Sequence, residues 1–202
     1  MAGQIDFYFD FISPFSYLAY QELPKVAARH GYALMHHPVE LNDLKRGNNN
    51  TGPSNRDQPL KRRYNQQEFR RWSQRYGVMF QRPSGFDPES RLNKGAFLAL
   101  NRGCIHDYVS RAWRRTWGSG GSLADEGLMR ELASDLGWDA DAFLHFIESD
   151  ETAQRYRAST EAAHRRGVFG VPTMIVGEEM FWGNDHVTWL EEHIAQLANA
   201  RA

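Results

Sequence analysis

A chain of 202 residues with 41% hydrophobic content, six Trp, eight Tyr and twelve Phe has enough apolar material for a full core, as one domain or as a small domain carrying an insertion. Its net charge of −1 gives no overall field to draw in nucleic acid or an anionic membrane, and no apolar run approaches the ~20 residues of a membrane span. The single cysteine, Cys104, rules out an internal disulfide, and the N-terminus, MAGQIDFYF, lacks a basic stretch followed by an apolar core and a cleavage site, so the expectation is a soluble cytoplasmic protein.

Ile5 to Phe11 is apolar at almost every position, broken only by Asp6 and Asp10, which fits a buried strand. Ser13-Pro14 stops it and starts a helix over Phe15 to Tyr20, since a side-chain oxygen caps free amides and Pro suits a first turn. Pro24 restarts a short helix that closes at His30-Gly31, and Tyr32 to Val39 makes a second strand. Glu40 to Pro59 is expected to be irregular, with Gly47, three Asn, Gly52-Pro53 and Ser54-Asn55 as turn signals. Helical periodicity then covers Lys61–Tyr76, Arg91–Arg102, Ile105–Trp117, Leu123–Leu136, Asp139–Ile147 and Glu151–Arg166, most of them stopped by Gly, with an aromatic loop over Val78 to Ser90. Val171–Val176 and Met180–Trp182 read as a hairpin, and Asn184-Asp185 as the cap of a last helix from His186 to about Ala198. That order predicts an α/β fold: a thioredoxin-like domain built from 1–59 and 168–202, interrupted by an all-α insertion over 60–167.

Four places carry possible chemistry. Ser13 at a helix start is first of all an N-cap, and the helix N-terminus also suits an anion. Thioredoxin-type redox proteins place two cysteines at such a strand-to-helix junction, where Ser13-Pro14-Phe15-Ser16 has oxygen at both positions. Dithiol exchange is therefore impossible there, and what survives is a site able to stabilise another molecule's thiolate. Gly170-Val171-Pro172-Thr173 is either a plain turn or a cis-Pro loop whose exposed backbone at Val171 pairs with a peptide-like ligand. Trp182-Gly183-Asn184-Asp185 is a strand end and helix cap, or a place for a carboxylate and an ammonium group together. In Gly52 to Asp57, Asn55 and Arg56 form part of a turn or hold a carboxylate, with Lys45 upstream as a second cation. The eight His have no metal-site spacing, Cys104 reads as a small buried residue, and Lys61-Arg62-Arg63 and Arg70-Arg71 read as solvated helix surface.

The segments DFYFDFISPFSYLA, GPSNRD, FGVPTM and WGND, in this order and across essentially the whole chain, resemble 2-hydroxychromene-2-carboxylate isomerases of the DsbA-like superfamily, relatives of kappa-class glutathione transferases. The resemblance implies glutathione as cofactor, its thiol activated by Ser13 and its tripeptide held by Val171 and by Trp182, Gly183, Asn184 and Asp185. It also implies a small aromatic carboxylate as substrate, faced by Lys45, Asn55 and Arg56. A tyrosine of the family's substrate pocket is matched here by Phe86, which lacks the hydroxyl. The implied reaction is the reversible isomerisation of 2-hydroxychromene-2-carboxylate to trans-o-hydroxybenzylidenepyruvate, in naphthalene or other aromatic hydrocarbon catabolism, by a cytoplasmic homodimer. Two rivals stay open at this point: a kappa-like transferase that consumes glutathione, and a non-catalytic thioredoxin-fold module that binds peptides.

Overall fold

The computed structural model describes residues 3–50, 52 and 57–200. At its centre is β1 (Gln4–Phe9), buried at every position after Gln4. It lies inside a four-stranded sheet of order β2-β1-β3-β4. β2 (Ala33–Pro38) runs parallel to it, from Gln4 opposite Ala33 to Phe9 opposite Pro38. β3 (Thr173–Val176) runs antiparallel, with Tyr8 opposite Thr173, and β4 (Glu179–Trp182) closes a hairpin with β3. A strand covered on both faces needs apolar side chains on both, which is why β1 is a nearly continuous hydrophobic run.

Period-two alternation sends Phe7 and Phe9 to one face and Tyr8 to the other. Phe7 and Phe9, with Phe11, join a core that includes Leu18, Leu23, Tyr108, Trp113 and Met129; Phe9 lies 5.5 Å and Phe11 5.0 Å from Trp113, centroid to centroid. Each such buried aromatic is worth roughly 1.5–3 kcal/mol relative to exposure. Tyr8 packs in a second cluster with Val39, Leu44, Ala163, Val168, Val171 and Ile175. The chain enters this layering through α1 (Pro14–Ala19) and α2 (Leu23–His30), the latter with Pro24 in its first turn and Gly31 at φ +67° as its stop.

The helical segment comprises α4 (Pro59–Tyr76), α5 (Arg91–Asn101), α6 (Ile105–Trp113), α7 (Glu126–Asp135), α8 (Ala140–Glu148) and α9 (Asp150–Arg165), and α10 (Val187–Asn199) ends the chain's described structure. Several expectations need correction. β1 stops at Phe9, because the carboxylate of Asp10 takes the Ile12 amide and turns the backbone. The irregular stretch after Glu40 contains α3 (Leu41–Gly47), capped by the Glu40 carboxylate on the Asn42 amide. Ile105 to Trp117 is not one α-helix: α6 gives way to a π-helical turn over Arg114–Gly118. Asn184 and Asp185 do not cap α10; with His186 they form a 3-10 turn ahead of it, and His186 occupies the cap position without a side-chain bond. Cys104 is half-buried with its sulfur toward the Ala99 carbonyl, and burial pushes its thiol up, away from nucleophilic chemistry.

Candidate active site

Because Tyr8 faces Thr173 and Thr173 faces Trp182, the turn after β1, the loop before β3 and the turn after β4 all leave the sheet at the same end. That brings Ser13, Val171 and Trp182–Asp185 to one side of the molecule. Ser13 has extended backbone (φ −91°, ψ 114°), is 4% exposed, and its Oγ accepts the Ser16 amide at 3.2 Å. The capping role foreseen for it is therefore real, and it leaves the hydroxyl proton without an acceptor among the described residues. A hydroxyl whose oxygen is occupied by a backbone donor is set up to donate its proton outward. Ser16 is fully buried, and its Oγ has no partner among the described residues. Since α1 has only six residues, its dipole adds little, and the local donors must supply most of the anion stabilisation.

The Val171-Pro172 peptide is cis. Gly183 donates its amide to the Pro172 carbonyl at 3.0 Å, and Thr173 Oγ1 donates to the Gly170 carbonyl at 2.7 Å. The main-chain N–H and C=O of Val171 take no partner among the described residues, which leaves a peptide-like edge. Trp182, 49% exposed, lies 5.0 Å from Phe169 between ring centroids and folds over Gly170, where a Cβ would come within 2.8 Å of the indole nitrogen. Gly183 has φ +113°, a backbone conformation that requires glycine; a Cβ there would also meet Asp185 Oδ1 at 2.5 Å, a contact the exposed Asp185 side chain can relieve by turning. The Asp185 side chain is 67% exposed, with Oδ2 3.9 Å from His186 Nε2, and is open to an ammonium group. Asn184 is 2% exposed; its Oδ1 accepts from the Tyr76 hydroxyl of α4 at 3.3 Å, and its Nδ2 is buried without a partner among the described residues. A buried amide donor left open beside such an edge fits a polar tripeptide.

Phe86 lines a cavity of about 200 Å³ together with Asp10, Phe11, Ile12, Glu40, Asn42 and others. Arg82 lies over the Phe86 ring, 5.7 Å from its centroid. Lys45 follows Asn42 by one turn of α3 and is half-buried; it is not among the residues bounding the cavity. Asn55 and Arg56 lie outside the described residues. No group of residues fit to hold a metal ion occurs among the described residues, and no described helix is long and apolar enough to cross a membrane.

Sequence reasoning missed the polar residues that build the floor of this site. Asp10 is 2% exposed: Oδ1 accepts the Ile12 amide at 3.0 Å and Asn93 Nδ2 at 2.7 Å, and Oδ2 accepts the Leu41 amide at 3.0 Å. Burial, with the Glu40 charge adding to it, pushes its carboxyl up to about 6. The carboxylate of Glu40 accepts from Ser90 Oγ at 2.7 Å and from the Tyr156 hydroxyl at 3.3 Å. The one signal was Asp10 itself, a carboxylate breaking a strand that is otherwise apolar.

A profile of the DSBA-like thioredoxin domain matches residues 4–195. A 2-hydroxychromene-2-carboxylate isomerase of Pseudomonas putida is 39% identical over 98% of this chain and 97% of its own length. A solved structure of a 2-hydroxychromene-2-carboxylate isomerase superposes with TM-score 0.93 at 39% identity, covering 98% of this chain and 97% of that one. More distantly, a Caenorhabditis elegans glutathione S-transferase of kappa type is 22% identical over 95% of this chain and 92% of its own. With both the domain profile and such identity over nearly its full length, the chain belongs to the DsbA-like thioredoxin family and, within it, to the 2-hydroxychromene-2-carboxylate isomerases.

Proposed function

We propose that this protein is a glutathione-dependent isomerase interconverting 2-hydroxychromene-2-carboxylate and trans-o-hydroxybenzylidenepyruvate, the activity for which its 39% identical relatives are named. One observation carries the reading. At the strand-to-helix junction where an oxidoreductase of this fold needs two sulfurs, Ser13 and Ser16 offer oxygen, and the Ser13 hydroxyl has a proton left to donate. The residues present fit glutathione: the unpaired main chain of Val171 for its backbone, the open Nδ2 of Asn184 and the exposed carboxylate of Asp185 for its charged end. When bound, glutathione supplies a thiolate that adds reversibly to a conjugated carbon, making a rotatable single bond of a double one, and is returned unchanged.

The chain's own residues make that chemistry possible at neutral pH. A free thiol near pKa ~8.5 is only a few per cent ionised at pH ~7. A net ~2 kcal/mol from the Ser13 hydroxyl and nearby amides lowers that pKa by about 1.5 units, enough to ionise about half of the thiol at pH ~7. Ser13 acts as a donor, not as a nucleophile. Lys45, with Asn55 and Arg56, holds the substrate carboxylate and polarises the adjacent carbonyl as negative charge develops on it. Phe86 gives the aryl end an apolar wall. The reading implies a cytoplasmic homodimer in aromatic hydrocarbon catabolism, with 60–167 as an insertion in the thioredoxin-like domain.

The deciding assay follows the absorbance of 2-hydroxychromene-2-carboxylate with and without sub-stoichiometric glutathione. Interconversion that requires glutathione and leaves the thiol titre unchanged supports the isomerase. The kappa-type relative favours a second reading, conjugation of electrophiles, and loss of thiol with an adduct formed would establish it instead.

A further inference from the structure

Three successive amides after β1 are tied to buried side chains or to their neighbour. Phe11 donates to Asn93 Oδ1 at 3.1 Å, Ile12 to Asp10 Oδ1 at 3.0 Å, and Ser13 to the Asp10 carbonyl at 3.0 Å. Asn93, on α5 and 2% exposed, joins the first two by donating Nδ2 to Asp10 Oδ1 at 2.7 Å. The second oxygen of Asp10 takes the Leu41 amide, the first of α3. One carboxylate thus bridges the turn that presents Ser13 and the helix that carries Lys45. The Phe11 carbonyl is held in turn by the Trp117 indole at 2.8 Å, from the π-helical turn.

An apolar pair of the same volume would be cheaper to bury. Asp10 faces Glu40 from the start of α3, Asn93 from α5 and the Tyr156 hydroxyl from α9; Asp87 also lines the cavity, and among the described residues no Lys or Arg does. Burial beside Glu40 raises the Asp10 carboxyl, so its ionised form is held at a cost in stability. What an apolar pair lacks is direction: only an acceptor with two oxygens can take amides arriving from two chain segments at fixed angles. We infer that Asp10 and Asn93 are positioning residues that lock the Ser13 turn to the first turn of α3, holding the thiol-activating hydroxyl and the substrate-facing helix at one spacing. The purpose of the lock rests on the isomerase reading; the lock itself does not.

The test is Asn93→Leu, which keeps the side chain's bulk and removes its bonds, set against Tyr108→Phe. The Tyr108 hydroxyl donates to the Leu92 carbonyl at 2.8 Å, so its loss destabilises the same helix without touching the turn. In Asn93→Leu the thiolate fraction of bound glutathione at pH ~6.5 falls about tenfold and KM for 2-hydroxychromene-2-carboxylate rises about tenfold, while glutathione Kd stays within about threefold. Tyr108→Phe loses comparable stability with thiol pKa and KM unchanged. An Asn93→Leu protein that unfolds earlier yet keeps both values would overturn the inference. Should that variant not fold, hydrogen exchange on the wild-type protein without ligand decides: the Phe11, Ile12 and Leu41 amides are expected to share one protection factor within about threefold, and a spread beyond about a hundredfold refutes a common lock. If the wild type fails to ionise glutathione, the isomerase reading falls while the exchange experiment still judges the lock.

Discussion

Replacing Ser13 with alanine removes two separable things. Its Oγ accepts the Ser16 amide, so the fold loses an N-cap, worth about 1 kcal/mol or a drop of roughly 2–4 °C in Tm for a chain of this size. On the proposed reading its hydroxyl proton is the donor to the bound thiolate, and a hydrogen bond to a charged group is worth about 1.5–3 kcal/mol. Ser13 is 4% exposed, so little water can enter to replace that donor. The thiol pKa should therefore rise by about 1–2 units, lowering thiolate, and activity with it, roughly 8- to 80-fold at pH ~6.5. The sign fixes the recovery. Above the raised pKa both proteins hold thiolate, so the gap must narrow as the pH approaches ~9. Titrating bound glutathione by the ultraviolet absorbance of its thiolate, alongside initial rates across the same range, measures both. A Ser13→Ala protein whose bound thiol titrates within about 0.3 units of wild type refutes the assignment of Ser13 as the thiol's donor.

On the proposed reading, in which α3, whose Asn42 lines the cavity beside Phe86, faces the substrate, Lys45→Ala should raise KM for the aromatic carboxylate about tenfold and leave glutathione Kd unchanged; equal losses in both would move Lys45 to the glutathione side. Gly170→Ala sets a Cβ 2.8 Å from the Trp182 indole nitrogen, so the ring must shift and glutathione affinity should fall about tenfold, measured by calorimetry, at an overpacking cost of about 1–3 kcal/mol. Two buried groups drive stability in opposite directions with pH. Burial, then the charge of His106, lowers His36 to about 4, so its contribution is present above its ordinary value and lost as pH falls toward 4; Asp10, raised to about 6, contributes below its ordinary value and loses that as pH rises through 6. Each is worth about 3 kcal/mol at full extent, so they largely cancel, and Asp10→Asn should show a steeper acid loss of stability than wild type between pH ~6.5 and ~4 by denaturant titration; parallel curves would contradict the assignment.

Much of the site was legible because local backbone chemistry carries it. Ser13-Pro14 is a cap followed by a first-turn proline, Val171-Pro172 is the bond type that tolerates cis, and Gly183 at φ +113° announces a turn whichever fold surrounds it. The hidden parts depend on residues distant in the chain. Glu40 starts α3 with its carboxylate anchored by Ser90 and Tyr156, 50 and 116 positions away, so nothing adjacent marks a helix among the Asn and Gly that follow. The Asp10–Asn93 bond spans 83 positions, and Asn93 in an apolar helix face reads locally as a weak helix former. The π-helical turn is a change of hydrogen-bond register, to which side-chain periodicity is nearly blind.

On the isomerase reading, the distribution of buried polarity suits a thioredoxin-fold junction that stabilises a thiolate instead of exchanging disulfides. One face of the middle of the sheet is apolar, from Ile5, Phe7 and Phe9 through Met174 to Val176, while the other carries Asp6 and Thr173 among its buried side chains. Asp10, Ser13, Ser16, Asn93 and Asn184 are all buried, and four of them stand in or beside the turns that leave one end of the sheet, with Asn93 reaching it from α5. In a dithiol enzyme the corresponding junction must accommodate a bond that forms and breaks between two protein sulfurs. On the proposed mechanism neither serine oxygen takes part covalently, so the junction can be fixed, and its value depends on how accurately it is held. A hydroxyl displaced by an ångström from a thiolate forfeits most of its hydrogen bond, and with it most of the ionisation on which catalysis depends. Anchoring three successive amides of that turn, at the expense of burying a carboxylate beside Glu40, is what such a division of labour requires.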